Sequence, residues 1–169
     1  MLWKTKMEEP PISYIRNFVF GVEDSLVSTV GLLSGVAVAG VEPKTIILAG
    51  VVLISVEAFS MGAGSLLSEH SAKQIALQRA VPMRASYISA FIMFLSYFFA
   101  GFIPLAPYIF LPISYAFFAS IGASLFALLV LGIISAKRAG ITPVRPALQM
   151  LFIGGAAIAL GTTVGILFA

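Results

Sequence analysis

The sequence predicts an all-α polytopic membrane protein with five transmembrane helices. Composition is the first reason. Of 169 residues, 60% are hydrophobic and 10% charged, against about 25% charged in a soluble domain, and the mean hydropathy is +1.06. The second reason is length: five apolar stretches each reach the roughly 20 residues that a spanning helix needs. The third is pattern. The runs are continuous rather than alternating, which disfavours membrane strands.

The first stretch covers about residues 18–40 and is interrupted by Glu23 and Asp24. The second covers 45–67 and contains Glu57. The third, fourth and fifth cover 85–103, 113–136 and 146–168, with Pro146 suited to a first helical turn. Residues 41–44 form a tight turn. Pro104, Pro107 and Pro112 break the chain between helices three and four, where Tyr108 and Tyr115 are placed to anchor at the interface. Between helices two and three, residues 68–84 have no Gly and no Pro before Pro82, so helix two is expected to continue out of the membrane. There are no cysteines, which excludes a disulfide framework and thiolate metal sites.

Orientation follows from the basic residues. With five spans, Lys4, Lys6, Arg16, Lys73, Arg79, Arg84, Lys137, Arg138 and Arg145 fall on the N-terminal side and Lys44 alone on the other. The N-terminus is expected in the cytoplasm and the C-terminus on the external or lumenal side, with a prokaryotic plasma membrane as the expected location. Residues 1–11 have no long apolar core or small-residue cleavage site, so they do not read as a signal peptide. The domain reading is a cytoplasmic segment over 1–15 and a five-helix membrane domain over 16–169. The basic residues sit in short clusters between apolar runs, which is no nucleic-acid signature.

A charge near the middle of a membrane helix costs roughly 2.5–3.5 kcal/mol on insertion scales, so acids there point to a site or pathway. Helix one carries Gly21, Asp24, Ser28, Gly31 and Gly35 at spacings of three and four, along one face. Helix two carries Gly50, Glu57, Met61, Gly64 and Ser68 on one face. Small residues permit close helix approach in lipid. In antiparallel helices joined by a short turn, Asp24 falls level with Met61, and Ser28 with Glu57. Asp24, Glu57 and Met61 are candidate metal ligands. Glu23 joins them, although it points about 100° from Asp24. Ser28, Gly31, Gly35 and Gly64 are candidate pathway-lining residues. Carboxylates with a thioether favour a transition metal such as Fe²⁺ over Mg²⁺ or Ca²⁺, and carboxylates that exchange metal for protons give a route to antiport. Met61 alone would be core filler; its place one turn from Glu57 makes it a ligand candidate. His70 reads as interfacial, Met83, Met93 and Met150 as packing or lipid-facing, and Gly154, Gly155, Gly161 and Gly165 as helix contacts.

At these residues the sequence resembles the vacuolar iron transporter family. The matching stretches are Phe20-Gly21-Val22-Glu23-Asp24-Ser25-Leu26-Val27-Ser28-Thr29, Ser60-Met61-Gly62-Ala63-Gly64 and Gln149-Met150-Leu151-Phe152-Ile153-Gly154-Gly155. The resemblance implies export of Fe²⁺ or Mn²⁺ from the cytosol, in many members by exchange with protons, with no permanently bound cofactor. It also implies a two-fold homodimer with the metal pathway between the two copies of helix one, and places Asp24, Met61 and Glu57 on that path. This chain departs from the family pattern in having Glu23, Ser25 and Ser65 where members often have Asn, Gly and Glu. It also has a connection of about 17 residues, with Glu69 as its one acid, in place of a Glu-rich cytosolic insert. The missing insert supports a second reading, a non-transporting assembly or sensory protein on the same fold. An intramembrane enzyme is disfavoured, because there is no His/Glu zinc motif and no Ser/Lys pair deep in a span.

Overall fold

The computed structural model describes residues 10–169. The first nine residues of the expected N-terminal segment, with Lys4, Lys6, Glu8 and Glu9, lie outside the described residues. Five helices follow: α1 (Pro10–Val38), α2 (Pro43–Leu77), α3 (Tyr87–Phe110), α4 (Ile113–Arg138) and α5 (Val144–Leu167), with one 3₁₀ turn at Met83–Ser86 before α3. All five are long and apolar enough to cross a membrane. No described residue is in a strand, as expected where backbone polar groups must be satisfied within each segment.

Helix α1 touches each of the other four and packs most extensively on α3 and α5. The core gathers Leu33 from α1, Ile46 and Ile54 from α2, Leu105 and Tyr108 from α3 and Ala116 from α4. A second cluster joins Leu26, Ala100 and Leu128. Close approach sets the register. A Cβ placed on Gly101 would meet Ile54 at 2.6 Å and Ser25 Oγ at 2.9 Å, so α1, α2 and α3 come together at that level.

Helix α2 has 35 residues. At about 1.5 Å per residue it is longer than a bilayer core of about 30 Å, and it continues past residue 67 to Leu77, as its sequence suggested. It ends at Gln78, whose φ of 50° is a left-handed cap. Gly40 and Gly140, at φ 75° and 69°, turn the chain after α1 and α4 in the conformation that glycine adopts without a Cβ penalty.

Two expectations are corrected. Pro104 and Pro107 do not end the third helix; α3 runs through both to Phe110, and the break falls at Leu111 and Pro112. In a membrane, packing against neighbouring helices lets a helix run through proline, and Ser120 of α4 ties the two helices at this level by donating to the Pro104 carbonyl at 2.7 Å. Tyr108 is not an interfacial anchor, because the extended α3 carries it into the core at 5% exposure, while Tyr115 is 70% exposed.

Candidate functional site

Successive residues of one α1 turn face different neighbours. Ser25 is buried toward α3 and donates to the Tyr97 carbonyl oxygen at 2.7 Å. Asp24, beside it, is half-buried, and its carboxylate lies within electrostatic range of Glu57 on α2. Ser28, one turn on, meets the Tyr97 hydroxyl at 2.7 Å. Tyr97 is fully buried and within range of both acids. The structure therefore places Asp24 and Glu57 within electrostatic range of each other and of Tyr97, the partner of Ser28 that the sequence reading missed.

On α2, Glu57 and Met61 are half-buried, while Ser60, Gly64 and Ser68 on the same face are exposed. A Cβ on Gly64 would have nothing within 4 Å. The chain's own helices leave this polar and thioether stripe only partly covered. Glu23 turns elsewhere. It lines an open groove of about 790 Å³ with Thr142, Arg145, Gln149 and Met150 at the start of α5. Among the described residues, no three His, Asp or Glu side chains gather closely enough to hold a metal.

The small residues of α1 do not share one neighbour. Gly21 abuts Ser96 and Met93 of α3, whereas Gly31 lies against Ala157 of α5 and Gly35 against Gly161. Gly165 and Gly161 in turn press on the carbonyls of Gly35 and Gly31. Gly31 and Gly35, expected on the pathway, are thus buried under α5 of their own chain. Helical spacing says which residues share a stripe, but not which helix covers it. Gly154 faces Leu125 and Leu128 of α4, and Gly155 faces open space.

At the end of the bundle where α1 begins and α2 ends, a polar bracket ties three helices. Ser13 donates to Glu69 at 3.2 Å and pairs with Ser89 at 3.0 Å. Asn17 donates to Ser65 Oγ at 2.9 Å and to the Ser89 carbonyl at 3.2 Å. Lys73 forms an ion pair with Glu69 and donates to Ser86. Burial works to raise the Glu69 carboxyl, but hydrogen bonds from Lys73, Ser89 and Ser13 and the Lys73 charge outweigh it and hold the group below the ordinary carboxylate value. The acid of the short connection is therefore committed to structure. The available signal was the polar spacing of Ser13 with Asn17 and of Ser89 with Ser96. His70 pairs with Gln74 at 3.1 Å.

A profile described as the VIT family matches residues 15–84 and 76–166. Vacuolar iron transporter 1 of Tulipa gesneriana is 25% identical over 206 aligned positions, covering 86% of this chain and 83% of the relative. Vacuolar iron transporter 1 of Arabidopsis thaliana is 25% identical, with 86% and 82% covered. A vacuolar iron transporter of Centaurea cyanus is 39% identical over 87 positions, 51% of this chain and 35% of that protein.

Proposed function

This chain belongs to the VIT family, and we propose that it carries Fe²⁺ or Mn²⁺ out of the cytosol as a two-fold dimer, in exchange for protons. The carrying observation is the α2 stripe of Glu57, Met61, Gly64 and Ser68, which its own chain leaves partly uncovered, Gly64 and Ser68 being exposed, while Glu57 stays within range of Asp24. Polar side chains left facing lipid are costly, so such a face calls for a polar-lined neighbour.

One chain offers one Asp24, one Glu57 and one Met61, too few donors to replace a metal's hydration shell. A two-fold axis brings copies of one face together and doubles each ligand. Four carboxylates and two thioethers suit a borderline cation better than Mg²⁺, which demands oxygen ligands. Carboxylates ligate in the deprotonated form, so metal release lets them take protons for the return. With nine of ten basic residues on one side, the N-terminus and the end of α2 are cytosolic. The iron transport named for the plant relatives supports the metal class.

The deciding experiment is metal flux into proteoliposomes under an imposed pH gradient, comparing wild type with Asp24→Asn. The variant keeps size and loses charge, so it should assemble normally and lose pH-driven transport. Wild-type flux from Asp24→Asn with unchanged pH dependence would remove the site. Absence of any metal flux from the wild type would favour the non-transporting reading.

A further inference from the structure

Tyr97 belongs to neither ligand stripe, yet it holds the α1 turn between the acids from two sides. Its backbone carbonyl accepts from Ser25, and its hydroxyl meets Ser28, each at 2.7 Å. The direction of the second bond can be argued. The phenol is fully buried, and the Ser28 hydroxyl is the hydrogen-bond partner beside it among the described residues. A buried O–H without an acceptor is costly, so the phenol donates and Ser28 Oγ accepts. The serine proton is then left for the Ser25 carbonyl at 3.5 Å, a long bond. A hydroxyl oxygen has two lone pairs, and the phenol occupies one. The second is free to face the space that Ser28 shares with Asp24, one turn away along α1.

The geometry points to Tyr97 as a positioning residue of the metal pathway, fixing the Ser28 hydroxyl so that a neutral oxygen faces the passing cation beside Asp24 and Glu57. This rests on the transport reading above and adds to it the residue that orients Ser28. A neutral oxygen held in one direction contributes to coordination without another buried charge. Groups behind a metal ligand matter for affinity: loss of an outer partner typically costs 10–100-fold.

The test is Tyr97→Phe in the full chain, reconstituted for Mn²⁺ flux beside wild type and Asp24→Asn. Tyr97→Phe keeps the ring and removes the hydroxyl. The half-saturating Mn²⁺ concentration should rise on the order of 10-fold, while the maximal rate and the thermal midpoint in detergent stay near wild type. A merely structural role would move the midpoint rather than the half-saturation. Ser28→Ala, which removes the oxygen itself, should raise it at least as much, and the double variant no more than Ser28→Ala alone, because without that hydroxyl the phenol has nothing to orient. Should Tyr97→Phe fail to assemble, Ser28→Ala against Ser28→Thr carries the test, with the hydroxyl-retaining variant close to wild type. Unchanged half-saturation, or additive effects in the double variant, overturns the role of Tyr97 while wild-type flux leaves the transport reading standing. A wild type that moves no metal overturns both.

Discussion

Gly161 of α5 lies directly against the carbonyl of Gly31 in α1, with no room for a methyl group between the two backbones. The contact repeats one turn on, at Gly165 and Gly35, so α5 is seated on α1 by backbone rather than by side chains. In lipid, where apolar burial drives little, such close packing is what holds helices together.

Gly161→Ala should therefore destabilise the protomer by about 1–3 kcal/mol, the usual cost of overpacking. Gly155→Ala is the control, because its Cβ would enter open space. Thermal unfolding in detergent should show a lowered midpoint for the first and none for the second. Gly31→Leu and Gly35→Leu should likewise act on the fold of one chain before any effect on assembly.

Met61→Leu keeps the volume and removes the thioether. Fe²⁺ half-saturation should rise by at least about 10-fold, the lower end of what loss of even an outer partner costs a metal site, while any Mg²⁺ or Ca²⁺ leak stays unchanged. Competition between Fe²⁺ and Mg²⁺ in the flux assay reads this directly. Equal weakening for both ions would remove Met61 from the ligand set.

Glu69 gives a pH prediction. Its carboxyl is held below the ordinary value in the folded protein, so its stabilising contribution is present above the unfolded value, about 4.3. That contribution is lost as pH falls through the lower folded value. Thermal midpoints measured downward from pH 6 should fall faster for wild type than for Glu69→Gln once pH drops below about 4–5. At pH 7 the variant should be the less stable, since it removes the Glu69 charge that pairs with Lys73.

Orientation is testable without background, because the chain has no cysteine. Ser71 and Glu42 are both exposed and lie at opposite ends of α2. A cysteine at Ser71 should react from the cytosolic side and one at Glu42 from the other. Labelling of both from one side would contradict five spans.

The sequence by itself determined the class, the number of spans and the residues of each polar stripe. Lipid leaves a backbone few options, so about 20 apolar residues become a helix whatever surrounds them. The acids were legible for the same reason: in an apolar run, Asp24 and Glu57 stand out. What covers each stripe was decided only by tertiary structure. Periodicity places Gly21, Asp24, Ser28, Gly31 and Gly35 on one side of α1, but α3 takes the first and α5 the last two, leaving Asp24 toward Glu57. Pro104 and Pro107 were expected to break the helix by a rule that holds for a lone helix; α3 continues through both with α4 packed beside it. Tyr97 was invisible for a further reason. It is a common residue on an apolar helix, and only the parallel packing of α3 on α1 sets its hydroxyl against Ser28, a contact between residues far apart in the chain that no local pattern encodes.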